Sequence, residues 1–186
     1  MIEIRVHGRG GQGNVTLAFL IAMAAFYDGK HSQSFPVFGV ERKGSPVAAF
    51  AKLDDKFIRS RQQIYEPDYI IILDPSLVKI SDVLTGAKKN TVVIINSDKE
   101  PAKVCPGYTG KVYCVPVLKI ALKEIGKPII NTAMLGAFAK ISGLIKIESA
   151  KKAIIENLGE KYGQDILAKN NKALVAAFNW VMKENL

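Results

Sequence analysis

The residues best placed to do chemistry are Gly8, Arg9, Gly10, Gly11, Gln12 and Gly13. They follow a strand-like run, Ile2 to His7, and open an apolar helix-like run, Asn14 to Tyr27. G-x-G-x-x-G carries meaning in that setting, because its glycines allow a tight turn and let bare backbone approach a ligand. The open N–H groups of the following helix then form a seat for phosphate. Three readings remain open at this point: a phosphate-bearing ligand, a dinucleotide, and a turn with a purely structural role. A dinucleotide site wants an acidic residue about 20 positions on, at the end of the second strand. Asp28 stands where the first helix ends instead, and the run His31 to Phe35 closes on Pro36 without a carboxylate. The residues therefore favour a phosphate-bearing ligand other than NAD.

A second cluster lies in the stretch Ser34 to Pro46, where Glu41, Arg42 and Lys43 sit among aromatics, two glycines and two prolines. That composition rules out a regular element through most of the stretch and suits an ordered working loop or a plain connection. No nucleophile elbow, Walker lysine, Cys–His pair or readable pair of carboxylates accompanies these clusters. His7, at the end of the first strand, reads as structural rather than as a proton carrier. Asp74 reads as a turn or cap residue for the Leu77 segment, with a ligand role as the alternative. Cys105, Cys114, His7 and His31 cannot assemble a metal site with ordinary spacing, and the two thiols are expected to be reduced.

The net charge of +9 calls for an anionic partner. The lysines are dispersed and no nucleic-acid-binding motif is present, so a solvated basic surface is preferred to a nucleic-acid interface. Val15 to Ala24 is too short to span a bilayer, which needs roughly 20 apolar residues, and the glycine turn before it is unlike a signal-peptide leader. A cytoplasmic protein with no membrane association is expected.

These clusters need positioning elements. Ile4 and Val6 alternate with charged neighbours in a first strand, and Asp28-Gly29 closes the first helix. Further strands are expected at Val47 to Leu53, Tyr69 to Leu73, Thr91 to Ile95 and Lys111 to Val115, with Glu100 to Gly110 as loop. Several are apolar throughout, as strands buried on both faces are. Helices are expected at Val117 to Ile125, at Ala133 to Ile141 with Asn131 or Thr132 as cap, at Glu148 to Leu158 and at Ile166 to Glu184. The fold class that follows is α/β: three layers, a mostly parallel sheet flanked by helices, Rossmann-like, with a helical C-terminal third. Residues 1–186, 48% hydrophobic, suffice for a single domain.

Gly8 to Gly13, Phe38 to Val47, Pro67-Asp68 and Asn131-Thr132, in this order, resemble the gamma subunit of the 2-oxoacid:ferredoxin oxidoreductases, most closely the pyruvate enzymes (pyruvate synthase). The family more often carries Arg where Lys43 stands, which puts a bidentate contact there in question. The resemblance implies one subunit of an enzyme, inactive alone, that oxidatively decarboxylates a 2-oxoacid and passes the acyl group to coenzyme A and electrons to ferredoxin. It implies alpha, beta and ferredoxin-like delta partners, with thiamine diphosphate, Mg and the iron–sulfur clusters on those partners. It also implies a shared coenzyme A site, to which Gly8, Arg9, Gly10, Gly11, Gln12, Gly13, Glu41, Arg42 and Lys43 would contribute. A stand-alone nucleotide-binding or regulatory module of Rossmann type is the alternative.

Overall fold

The structure is a computed structural model that describes residues 1–37, 44–159 and 162–183. The elements run β1 (Ile2–Arg9), α1 (Asn14–Tyr27), β2 (His31–Pro36), β3 (Pro46–Asp54), β4 (Tyr69–Ile72), α2 (Leu77–Ile80), β5 (Val92–Asn96), α3 (Pro101–Val104), β6 (Lys111–Val115), α4 (Val117–Glu124), α5 (Asn131–Ser142), α6 (Ile147–Gly159) and α7 (Gln164–Lys183).

The strands form one six-stranded sheet in the order β2-β3-β1-β4-β5-β6. β1, β4, β5 and β6 pair in parallel, whereas β3 lies antiparallel between β1 and β2. The mostly parallel α/β fold is thus observed, with β3 as the reversed strand.

The uniformly apolar runs of β4 and β5 are buried on both faces, as parallel strands between covering layers must be. On one face Ile4, Val6, Ile71, Ile94 and Val115 meet the helical side, built from α1 and the C-terminal helices. On the other, Ile70, Ile72, Val93 and Ile95 pack with Leu77, Val83, Val104 and the two unpaired thiols, Cys105 and Cys114. That second cover consists of one-turn helices and coil. α3 supplies one of those turns inside the stretch expected to be loop, with Pro101 at its start.

α5 and α7 pack closely because Gly136 has no side chain: a Cβ there would overlap the Leu174 carbonyl oxygen. Asn131 and Thr132 do not cap α5. They lie within the helix, where Thr132 Oγ1 donates to Asn170 Oδ1 at 3.0 Å in the buried seam with α7. Glu184 lies outside the described residues, and Trp180 packs, partly buried, against the core.

The charged positions of β1 also depart from the simple alternation. Arg5 is 7% exposed, and its guanidinium donates to the carbonyls of Ile64, Val83 and Thr85. Lys52, on β3, is 2% exposed and pairs with Glu3 at 3.0 Å. Coil thus covers the Arg5 side chain and its carbonyls offset that charge, whereas Lys52 is offset by the Glu3 carboxylate.

Candidate functional site

The glycine turn sits where β1 gives way to α1. Gly11 and Gly13 have φ of +95° and +82°, a region that other residues seldom adopt. A Cβ on Gly13 would also stand 3.1 Å from Asn131 Nδ2, so α5 closes one side of the turn. The start of β3 closes another: Gly10 N–H donates to Ser45 O at 2.9 Å, and Gly44 N–H to Gly10 O at 3.3 Å. Gln12 folds back so that its Oε1 accepts the Arg9 N–H at 2.7 Å.

The first helical bond runs from Leu17 N–H to Gly13 O, and α1 has no side-chain cap. Asn14, the natural candidate to supply one, turns inward and donates to Val47 O at 3.0 Å. The N–H groups of Asn14, Val15 and Thr16 therefore find no acceptor among the described residues. Unpartnered donors at the positive end of a 14-residue helix are suited to an anion.

Arg9 points away from these donors. Its Nε lies 2.7 Å from Asp74 Oδ2, Nη2 donates to Ser76 Oγ at 2.9 Å and Nη1 to Gly44 O at 3.1 Å. Asp74 follows β4, and its Oδ1 accepts the N–H and hydroxyl of Ser76 at 3.0 and 2.6 Å, while Gln12 Nε2 reaches Oδ2 at 3.3 Å. Burial alone would raise the Asp74 pKa, but the bonds from Ser76, Arg9 and Gln12 outweigh it and hold the carboxyl below its ordinary range. Arg9 and Asp74 thus brace the crevice between the carboxyl ends of β1 and β4. Connections leave those two strands toward opposite edges of the sheet, which is where open α/β sheets take ligands.

Gly8, Arg9, Gly10, Gly11, Gln12 and Gly13 are therefore gathered at one place. Glu41, Arg42 and Lys43 lie outside the described residues. Asp74 was legible as a turn or cap residue with a ligand role as the alternative; its tie to Arg9, 65 residues away, has no local signature.

His7 lies in β1, just before the turn. Burial, assisted by the Arg5 charge, depresses its pKa to about 3, and its Nε2 is buried without a partner. The ring is neutral near pH 7, so it does not shuttle protons there. Asp28 lies at the other end of α1, about 20 Å away at 1.5 Å per residue. Its carboxylate accepts Lys146 N–H and Ser149 Oγ–H, both at 2.7 Å, and so anchors the start of α6.

The family model for pyruvate ferredoxin/flavodoxin oxidoreductase matches residues 3–180. The chain belongs to this family. Pyruvate synthase subunit PorC of Methanocaldococcus jannaschii is 51% identical over 184 residues, 99% of each chain. The common gamma subunit of the pyruvate/ketoisovalerate oxidoreductases of Thermococcus kodakarensis is 50% identical over 182 residues, 96% of each. Among solved structures, pyruvate oxidoreductase subunit PORC of Thermotoga maritima superposes with a TM-score of 0.84 at 31% identity, covering 96% of this chain and 95% of that one.

In this pyruvate ferredoxin/flavodoxin oxidoreductase family member, Cys105 and Cys114 are poor candidates for cluster ligands. Both are buried, and burial raises both thiols, Cys114 to about 11, away from the thiolate that a metal requires. Among the described residues no group of three His, Cys, Asp or Glu side chains converges on a metal site, and no helix is long and apolar enough to cross a membrane.

Proposed function

We propose that this chain is the gamma subunit of a multisubunit pyruvate (2-oxoacid):ferredoxin oxidoreductase, and that its glycine turn helps to hold coenzyme A. The enzyme oxidatively decarboxylates pyruvate to acetyl-CoA and passes the electrons to ferredoxin. The subunit assignment rests on the family match and on relatives of the same length. The coenzyme reading rests chiefly on one observation: the unpartnered N–H groups of Asn14, Val15 and Thr16, set at the crevice between β1 and β4.

Those donors suit the pyrophosphate of coenzyme A. The carboxylate nearest the turn, Asp74, is already neutralised by Arg9 and so repels an incoming anion little. Coenzyme A supplies the thiol that accepts the acyl group. This chain's part is to hold the phosphates while Arg9, braced by Asp74, keeps the turn in shape. Glu41, Arg42 and Lys43, on the segment leaving β2, are assigned to the same site by their sequence motif.

Thiamine diphosphate, Mg and the iron–sulfur clusters are assigned to partner subunits of the alpha, beta and delta types, and the complex to the cytoplasm. Choice of oxoacid is assigned to those partners too, in keeping with the Thermococcus kodakarensis relative, whose name makes it common to pyruvate and ketoisovalerate enzymes.

Calorimetry on the assembled enzyme tests the coenzyme reading. Gly11→Val places a β-branched residue at a φ of +95° and should weaken coenzyme A binding at least tenfold, as should Arg42→Ala. Unchanged affinity in both variants refutes it. Purification of the chain without alpha, beta or delta partners would favour the stand-alone module.

A further inference from the structure

A second concavity opens at the carboxyl ends of β4, β5 and β6, beyond Ser76. It encloses about 460 Å³, within the usual range for small-ligand sites. Pro75, Val104, Pro116 and Leu118 give its lining an apolar part, and four lysines line it too: Lys79, Lys99, Lys103 and Lys119.

Two of the four charges are already met. Lys119 pairs with Asp98 at 2.6 Å, and Lys103 with Glu100 at 3.0 Å. Asp98 lines the cleft, so its carboxylate enters the balance but is neutralised there. Lys79 and Lys99 have no carboxylate partner among the described residues, which leaves the cleft with uncompensated positive charge.

A buried donor completes the pattern. Ser97 lines the cleft and is 8% exposed. Its Oγ accepts the Lys99 N–H at 3.1 Å, yet its own hydroxyl proton has no acceptor among the described residues. A buried hydroxyl forgoes water at a cost unless something bonds to it. The start of the eight-residue helix α4 borders the same space, where Asn96 Oδ1 accepts the Leu118 N–H at 3.1 Å. The Ser97 hydroxyl and the Lys79 and Lys99 ammonium groups are donors left without acceptors among the described residues, and a phosphate is rich in acceptors.

We propose that this cleft is a second anion site that takes the phosphorylated end of a nucleotide, with the phosphate on Ser97, Lys79 and Lys99 and the base against the apolar lining of Pro75, Pro116 and Leu118. It is separate from the glycine turn: Ser76 borders both, but the donors at the start of α1 belong to the crevice between β1 and β4. The inference does not depend on the coenzyme A reading of that turn. The same chemistry can come from the adenosine 3′-phosphate end of coenzyme A or from a free adenine nucleotide.

The test is calorimetric titration of the full chain with adenosine 3′,5′-bisphosphate at low ionic strength. Saturable one-site binding is expected. The double variant Lys79→Glu/Lys99→Glu should weaken it at least tenfold, and Ser97→Ala about fivefold, the scale of losing charge-assisted and buried hydrogen bonds. Lys172→Glu, a charge change on the exposed side of α7, should leave it unchanged. Thermal melts confirm that the variants are folded. No saturable binding, or equal affinity in the double variant, overturns the proposal. Equal affinity for inorganic pyrophosphate also overturns it, because the cleft would then attract ions alone. Competition by coenzyme A identifies the coenzyme as the source, whereas ADP binding that coenzyme A does not displace identifies a free nucleotide. Either of these last outcomes supports the site.

Discussion

Replacing His7 by Leu should remove much of this protein's sensitivity to mild acid. An unfolded histidine titrates near 6.5, and in the folded chain the value falls to about 3. Because the folded value is depressed, the native state excludes a proton that the unfolded chain binds. Stability from this group is complete above pH 6.5 and is lost as pH falls toward 3. The full difference is about 5 kcal/mol at 1.36 kcal/mol per unit, of which about 2 kcal/mol is gone by pH 5. A domain stable by about 5–15 kcal/mol would feel that loss strongly. Urea unfolding at pH 7.5, 6, 5 and 4.5 measures it, over a range where most carboxylates are still ionised. In His7→Leu the midpoint should change little at pH 7.5, since Nε2 has no bond to lose, and should fall much less steeply below pH 6.5. A parallel slope in the two proteins, or a His7 resonance titrating near pH 6, would show that the buried ring is not what the pH dependence reports.

Three further outcomes follow from packing and pairing. Gly136→Ala should cost about 3 kcal/mol, because the new methyl meets the backbone of α7 at Leu174 rather than a side chain that can move, and a thermal melt reads it. Thr132→Val leaves Asn170 Oδ1 without its buried donor and should cost about 1–3 kcal/mol in urea unfolding, with coenzyme A binding by the assembled enzyme unchanged. Asp74→Asn should cost about 1 kcal/mol at pH 7, since its pair with Arg9 is partly exposed. Asp74 has a lowered folded pKa, so its contribution is present above pH 4 and lost as pH falls through that lower value. The gap between wild type and Asp74→Asn should therefore close on acidification; a gap that stays constant to pH 2 would argue against the pairing.

The strands and long helices were legible because their cause is local. Tyr69 to Ile72 and Val92 to Ile95 are apolar throughout, and only strands buried on both faces tolerate that over so short a run. Direction was not legible: nothing in the alternation of Val47 to Leu53 says that β3 runs against its neighbours. Alternation also misplaced the polar side of β1. Arg5 sits where period two puts solvent, but the coil carrying Ile64 and the segment Val83 to Thr85 cover it, and that cover is set by tertiary packing. The glycine turn could be read because its φ values demand glycine. The engagement of Arg9 by Asp74 could not, since it joins residues brought together only by strand order. The Asn131-Thr132 pair reads as a cap by residue type, yet Thr132 is spent on an interhelical bond.

The reversed course of β3 has a mechanical consequence. Its ladder with β1 pairs Gly8 with Val47 and Arg9 with Pro46, and the backbone bonds of Gly44 and Ser45 end on Gly10. On the other side, Val37 N–H is fastened to Ala48 O at 3.0 Å. Val37 is thus fastened to β3, and Gly44 and Ser45 to the glycine turn itself. If the turn holds coenzyme A as proposed, any load carried into β3 from its two flanks would reach the ligand through a few backbone bonds, with no long lever between them.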